Sequence, residues 1–160
     1  MDIYEFAIRM EKDGEQFYRT LAEQTNHKGL KAVFNLLADA EVKHLKVIEK
    51  LMLSDTDYSG SSNILKDAKN IFESMDPETV QQFKGTEINL YQKALIIEEK
   101  SHDFYTEQAI EVEGEKKREV LLKLAEEEKQ HIRLMENLID LVSRPETWLE
   151  NAEWYHLDEY

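Results

Sequence analysis

The sequence predicts an all-α protein: a bundle of four long helices with a long connection between the second and third helices and a short C-terminal extension. Apolar residues recur at intervals of three and four along four long segments, which is the period of an amphipathic helix. The 160 residues include only five glycines and two prolines, so long helices can run without interruption. No segment alternates apolar and polar residues for more than a few positions, which argues against strands.

The first half of the chain contains a predicted helical hairpin. A stripe of apolar residues that begins at Ile3 predicts a first helix over residues 3–25. Residues 26–29 (NHKG) have the composition of a turn, and a second helix is predicted over residues 30–53. The polar, Gly- and Ser-rich segment 54–63 is predicted to be a loop.

The second half repeats this arrangement after a short helical connection. Residues 64–75 are predicted to form a short helix, and Asp76–Pro77 has the pattern of a helix start, with Asp as the cap and Pro in the first turn. Gly85–Thr86 is predicted to open a third long helix that ends near residue 114. The fourth is predicted over residues 115–142, and Arg144–Pro145 ends it.

The predicted bundle domain covers residues 1–143, and residues 144–160 form an aromatic tail. We expect the tail to pack on the end of the bundle or against a partner subunit, because aromatic side chains are enriched in such contacts. A role in binding a partner or in redox chemistry is the alternative. The aromatic and histidine side chains of the tail are Trp148, Trp154, Tyr155, His156 and Tyr160.

Composition narrows the function classes. With 34 acidic and 20 basic residues the formal charge is −14, which argues against binding to nucleic acid or to an anionic membrane surface. The chain has no cysteine, which excludes disulfides, thiolate catalysis and Cys-ligated zinc or iron within it. No apolar run approaches the roughly 20 residues of a membrane span, and the N-terminal residues do not resemble a signal peptide. We therefore expect a cytoplasmic protein.

An internal repeat relates the two predicted hairpins without a gap. A shift of 87 residues places EKDGEQFY (residues 11–18) on EEKSHDFY (98–105), and ADAEVKHL (38–45) on AEEEKQHI (125–132), so the repeat covers about residues 2–53 and 86–142. Most matched positions are only similar, whereas several of the identical ones are polar residues on the apolar stripes. These identical pairs are Glu11 and Glu98, Tyr18 and Tyr105, Glu41 and Glu128, and His44 and His131.

The four repeated glutamates should lie at one level of the bundle. Glu11 and Glu41 are equidistant from the first predicted turn, and Glu98 and Glu128 are equidistant from the second. Residues equidistant from the turn of an antiparallel helix pair lie side by side, here about 22 Å from each turn at 1.5 Å per residue. In both second helices a histidine follows at i+3 on the same face: His44 and His131.

Burial of this layer requires compensation. Each unpaired carboxylate would cost several kcal/mol, and four together would also repel one another. Two divalent cations would neutralise four glutamates, and one imidazole would complete the ligand set of each ion. Oxygen and nitrogen ligands without sulfur suit iron or manganese, with zinc as a competitor. The alternative is that each glutamate lies at the core edge with its carboxylate in water, but two copies at matched heights are hard to explain in that way.

Four other residues have a candidate role near this layer. Tyr18 and Tyr105 lie two turns beyond Glu11 and Glu98, and each hydroxyl is predicted to orient a ligand carboxylate; an ordinary buried tyrosine is the alternative. His102 and Glu15 occupy equivalent positions in the repeat. Each could be an extra metal ligand or an acid–base group beside the layer. The alternative is a residue on the helix flank whose polar end lies in water. In the run of glutamates at 126–128, only Glu128 falls on the apolar stripe.

These residues resemble the ferritin-like di-iron carboxylate superfamily, in which two helices each supply a Glu and two others each supply Glu-x-x-His. The segments EKDGEQFY and EEKSHDFY, in which a Tyr follows Glu11 or Glu98 after seven residues, most resemble those of the rubrerythrin branch. The resemblance covers about residues 2–143, and it implies a ferritin-like bundle with a crossover between its second and third helices. It also implies six ligands to two iron ions. These are Glu11, Glu41, His44, Glu98, Glu128 and His131.

The sequence departs from that branch in two respects. Rubrerythrins carry a second, Cys-ligated iron domain that feeds electrons to the di-iron site, and this chain has no cysteine. They also carry a further Glu one turn after the third-helix ligand, where this chain has Ser101, followed by His102.

The resemblance implies a di-iron oxidoreductase of the peroxidase or ferroxidase type, which reduces peroxide or dioxygen with electrons from a separate carrier protein. A homodimer is also in keeping with the superfamily. One alternative is iron handling without a dedicated substrate, through binding, ferroxidation or delivery. A second alternative is a non-catalytic helical adaptor with a structural metal.

Overall fold

The computed structural model describes residues 2–60, 62–82 and 88–145. These residues contain helices and connecting segments and no strand, so the all-α prediction is confirmed. The helices in chain order are α1 (Ile3–Gln24), α2 (Lys28–Met52), α3 (Ile64–Glu73), α4 (Pro77–Gln81), α5 (Ile88–Glu111) and α6 (Glu115–Ser143).

The helix boundaries follow local capping chemistry. The Asp2 side chain accepts a hydrogen bond from the Glu5 amide at the start of α1. The predicted start at Asp76 is confirmed, because its side chain accepts from the Thr79 amide and Pro77 occupies the first turn of α4. The proposed opening of the third long helix at residues 85–86 and the aromatic residues of the tail lie outside the described residues.

The two long hairpins are joined by a crossover that travels the length of the bundle. Most helix contacts occur within the α1–α2 and α5–α6 pairs. One apolar cluster contains Leu30 and Tyr91, near the starts of α2 and α5; a second cluster contains Leu51 and Ala109, near their ends. Because α2 and α5 therefore run in the same direction, the segment between them must return along the bundle. This is the ferritin-like topology that the resemblance implied.

A polar layer separates the two apolar clusters. On α2, the buried residues Glu41 and His44 lie between Ala38 of the first cluster and Val47 of the second. The equivalent positions on the other three long helices are also polar and buried. The four helices thus hold one charged level inside an otherwise apolar interior.

One predicted core position of α1 is wrong. Ile3 was expected on the buried stripe, but its side chain is 37% exposed. Tyr4, the next residue in the chain, packs against the second cluster instead. The buried stripe of α1 begins at Ala7.

The crossover contributes to the bundle as well as connecting it. Helix α3 packs against both α2 and α6 and adds Leu65, Ala68 and Phe72 to the first apolar cluster. Among the described residues, no helix combines the length and the hydropathy needed to cross a bilayer.

Candidate metal centre

The six polar residues expected as ligands all lie inside the bundle, and each is at most 4% exposed. The four long helices supply them at one level, because each helix turns the same face inward at that height. They are Glu11 on α1, Glu41 and His44 on α2, Glu98 on α5, and Glu128 and His131 on α6.

The six side chains form two overlapping groups of four, in each of which potential ligand atoms lie within 4.8 Å of one another. The His44 group is Glu11, Glu41, His44 and Glu128, and the His131 group is Glu41, Glu98, Glu128 and His131. Glu41 and Glu128 belong to both groups. These two carboxylates would therefore contribute to the binding of both members of a pair of cations.

Both imidazoles present the same nitrogen to the carboxylates. Nδ1 of His44 lies 2.8 Å from Oε1 of Glu128, and Nδ1 of His131 lies 3.4 Å from Oε1 of Glu41 and 3.4 Å from Oε2 of Glu98. The two rings are stacked, with centroids 5.5 Å apart and planes 10° apart. Nδ1 is therefore the atom that each histidine offers to a metal.

Several buried polar atoms of the layer lack a hydrogen-bond partner within the described part of the chain. They are Oε2 of Glu11, Oε1 of Glu41, Oε2 of Glu128, and both ring nitrogens of His131. Unsatisfied polar atoms inside a protein cost free energy, and a cluster of them is rare without a ligand. Carboxylate oxygens and imidazole nitrogens with free lone pairs are metal ligands, so the residues fit a pair of divalent cations. The cluster is a candidate di-metal site.

The pKa values of the carboxyl groups divide the layer into two classes. Burial and the charges of neighbouring glutamates raise the pKa of Glu41 and of Glu128 well above 4.5. Burial also opposes ionisation of Glu11 and Glu98, but hydrogen bonds and nearby histidine charge outweigh it and lower both pKa values, that of Glu98 to about 2. The two shared carboxyl groups therefore hold protons more readily than Glu11 and Glu98 do, and metal binding competes with those protons.

The two predicted tyrosines do contact carboxylates of the layer, but across the bundle. The Tyr18 hydroxyl donates to Oε1 of Glu98 over 2.6 Å, and the Tyr105 hydroxyl donates to Oε1 of Glu11. Burial and the negative charge of these partners raise the pKa of both phenols, so each hydroxyl keeps its proton and acts as a donor. Each tyrosine thus fixes a carboxylate of the other hairpin and ties the two repeats together.

The structure does not bring Glu15 and His102 into the cluster. The Glu15 carboxylate lies 3.4 Å from Arg19 on the same helix, and its side chain is 36% exposed. The His102 side chain is 31% exposed, with Nδ1 3.3 Å from Asp103. Both lie on helix flanks one turn beyond the buried glutamates. Of the two alternatives for these residues, the structure therefore favours the flank residue over the ligand.

Two residues beside His44 were not predicted from the sequence. Glu127 was assigned to a surface run of charge, yet it is only 9% exposed, and its Oε2 lies 3.5 Å from Nε2 of His44. Tyr58, from the crossover, donates a hydrogen bond to that same oxygen of Glu127. The repeat held one clue, because Glu127 matches Ala40, a polar-for-apolar difference inside the motif. Nothing in the sequence near Tyr58 indicated its partner.

Small side chains lie beside the layer on the α1–α5 side. Gly14 and Ser101 are equivalent in the repeat, and both are buried. A Cβ at Gly14 would lie 3.2 Å from Oε2 of Glu41, so the glycine leaves room for that carboxylate. A cleft of about 580 Å³ between α1 and α5 is lined partly by Ser101, one turn from Glu98. This cleft therefore reaches to within one helical turn of the layer.

Comparison with known proteins agrees with this geometry. The chain matches the rubrerythrin family over residues 2–139, and a second match covers residues 89–154, which contain the second hairpin. No curated protein and no solved structure matches the chain. Since the first match spans most of the sequence and all six buried residues, this chain belongs to the rubrerythrin family.

Proposed function

We propose that this protein is a di-iron carboxylate oxidoreductase that reduces peroxide or dioxygen with electrons from a separate carrier. The observation that carries the proposal is the pair of buried four-residue groups that share Glu41 and Glu128. Four carboxylates balance the charge of two divalent cations. The ligand set of oxygen and nitrogen without sulfur suits iron, with manganese or zinc as alternatives that metal analysis separates.

The residues of the chain have distinct tasks in this proposal. Iron(II) ions held in the two groups would supply two electrons to the bound oxidant. Glu41 and Glu128 are placed to bind both ions, while Tyr18 and Tyr105 hold the remaining two carboxylates in one orientation. The cleft lined by Ser101 is the route by which we expect a small oxidant to approach.

The electrons must come from outside the chain in this proposal. The sequence has no cysteine, so it cannot supply the Cys-ligated iron that other rubrerythrins use for this purpose. We therefore include a separate electron-donor protein in the proposal, and a homodimer as its simplest assembly.

Anaerobic loading with iron(II), followed by rapid mixing with peroxide or with air-saturated buffer, tests the proposal. We expect two iron ions per chain, and at least stoichiometric oxidation of that iron. Glu41→Ala and Glu128→Ala should each abolish oxidation, because each removes a ligand from both groups. Glu126→Ala, at an exposed position on the same helix, is the matched control and should behave like the wild type. Turnover of peroxide by either ligand variant would refute the assignment.

Iron handling without turnover is the second candidate, and Ser101 favours it. Other rubrerythrins carry a Glu at that position, so the peroxide chemistry of the family lacks one of its usual groups here. Repeated oxidant consumption in the presence of a chemical reductant would favour the enzyme, whereas a single oxidation event per loaded ion would favour iron handling. The size of the native particle adds an independent result, since a large hollow assembly would favour storage.

A further inference from the structure

The duplicated motif is asymmetric at one position beside the histidines. In the second repeat Glu127 precedes the shared Glu128, and in the first repeat the equivalent residue is Ala40. Glu127 is 9% exposed, and its Oε2 lies 3.5 Å from Nε2 of His44. The two imidazoles, which both present Nδ1 to the cluster, therefore differ on their outer sides.

His131 lacks the corresponding contact. Its Nε2 is buried and has no hydrogen-bond partner in the described ranges of the chain. By the repeat, the residue that would face it is Ala40, whose methyl group cannot accept a hydrogen bond. Both residues line a second cleft, of about 280 Å³, between α2 and the crossover.

The crossover holds Glu127 in place through Tyr58. The Tyr58 hydroxyl donates to Oε2 of Glu127, and the Tyr58 carbonyl accepts a hydrogen bond of 2.9 Å from Nζ of Lys123, one turn earlier on α6. Tyr58 is thus bonded to α6 by its side chain and by its backbone. The carboxylate that faces His44 has little freedom to rotate away.

A carboxylate that faces the outer nitrogen of a histidine changes the affinity of that histidine's site for a metal ion. A histidine that binds metal through one nitrogen usually donates its other N–H to a carboxylate, carbonyl or water, which fixes the tautomer and makes the ligating nitrogen more basic. Loss of that partner typically lowers metal affinity on the order of 10- to 100-fold. Nδ1 of His44 faces the cluster and Nε2 faces Glu127, as this arrangement requires.

We propose that Glu127, held by Tyr58, is a positioning residue for His44 and makes the two metal positions inequivalent. The His44 group then binds its ion on the order of 10- to 100-fold more tightly than the His131 group and fills first. This inference rests on the proposed function only in requiring that both groups bind metal. It adds an order of loading and a structural role for the crossover.

Anaerobic calorimetric titration of the metal-free protein with cobalt(II), followed in parallel by visible absorption, tests the order of loading. The wild type should bind two ions in two resolved steps. Glu127→Ala, which reproduces the situation at Ala40, should weaken the tight step on the order of 10- to 100-fold and bring it close to the weak one. Tyr58→Phe should weaken the same step by a smaller factor. Glu126→Ala, exposed and adjacent, should change neither step.

Two further variants assign the steps to the groups. His44→Ala should remove the tight step and leave the weak one, and His131→Ala should do the reverse. Ala40→Glu supplies the missing carboxylate near His131 and should tighten the weak step. If Glu127 contributed only to folding, its removal would weaken both binding steps. Ala40→Glu would then not tighten the weak step.

The possible outcomes separate this inference from the proposed function. Failure of the wild type to bind two ions would refute the di-metal site itself. Two ions bound with equal affinity, or equal weakening of both steps in Glu127→Ala, would leave the site intact and overturn the inequivalence. If Glu127→Ala does not fold, as judged by circular dichroism, the step-specific effect of Tyr58→Phe decides, and an unchanged tight step there overturns the positioning role.

Discussion

Replacement of Glu128 by glutamine should stabilise the metal-free protein while removing a carboxylate that belongs to both candidate metal-binding groups. Glu128 is fully buried, and burial together with the charge of Glu98 raises its pKa well above 4.5. Its carboxyl group therefore keeps a proton in the fold at pH values where the unfolded chain has released it. Glutamine has nearly the same shape and does not ionise, so the substitution removes the cost of that proton.

The sign and size follow from proton linkage. A carboxyl group with a raised pKa in the fold makes folding take up a proton, so stability falls as pH rises from 4.5 to the folded-state pKa. The cost is about 1.4 kcal/mol per pH unit. Glu128→Gln should therefore raise the free energy of unfolding by about 1.4 kcal/mol for each pH unit above 4.5 over which the folded carboxyl group stays protonated. At about 2–4 °C per kcal/mol, the melting temperature should rise by about 3–6 °C for each such unit.

Between pH 4.5 and 6.5 the other groups of the layer do not oppose this effect. The pKa of Glu98 is lowered to about 2, so its stabilising contribution is complete above pH 4.5 and is lost only as pH falls through about 2. Burial opposes protonation of His44, but neighbouring carboxylates, Glu11 foremost among them, raise its pKa well above 6.5, so its contribution is complete below pH 6.5. Burial and the charge of Glu11 raise the pKa of Glu41 in both proteins, and the charge of Glu128 raises it further, so Glu128→Gln also lessens the cost of Glu41 and acts in the same direction.

Thermal unfolding followed by circular dichroism in a chelator at pH 4.5, 5.5 and 6.5 measures the prediction. The gain should be small at pH 4.5 and grow with pH, while Glu126→Gln, at an exposed position two residues earlier, should show no such trend. With saturating manganese(II), the wild type should gain stability and Glu128→Gln should gain much less. A variant less stable than the wild type at all three pH values, or a gain that does not depend on pH, would refute the reasoning.

Three further outcomes follow from the same layer. Metal binding must displace protons from Glu41 and Glu128, whose pKa values are raised, so manganese(II) affinity should increase from pH 5.5 to 7.5 in calorimetric titrations; a flat profile would contradict this. Tyr18→Phe removes the 2.6 Å hydrogen bond to buried Glu98 and should cost about 1–3 kcal/mol in urea unfolding of the metal-free protein, and an unchanged midpoint would count against it. Gly14→Ala places a Cβ 3.2 Å from Oε2 of Glu41 and should lower metal affinity on the order of tenfold, whereas unchanged affinity would show that the carboxylate shifts freely.

Much of the site was predictable because helical geometry is local. Glu41 and His44 share a face because they are three residues apart on one helix, and the repeat places Glu128 and His131 in the same relation. Equal distances from the hairpin turns put the glutamates at one height. These relations need no knowledge of how the hairpins are rotated against each other.

Other contacts depend on that rotation. Tyr18 lies on the same helix as Glu11 but bonds Glu98 of the other hairpin, a choice that helical spacing does not specify. Helical spacing also placed Ile3 inside, whereas Tyr4 makes the contact because the position of α1 against the second apolar cluster sets which residue of its first turn is covered. Sequence periodicity gives the directions of side chains relative to one another around one helix. Which of them face the other hairpin is set only by how the helices pack.

The sequence by itself determined the helices, the doubled hairpin and the six buried polar positions of the layer, since each follows from spacing along a regular helix and from identity between the two repeats. Only the tertiary structure decided that Glu127 lies beside His44 and that Tyr58 holds it there. Residues 58 and 127 are far apart in the chain, and the path of an irregular crossover over a helix is set by three-dimensional packing, which leaves no periodic trace in sequence.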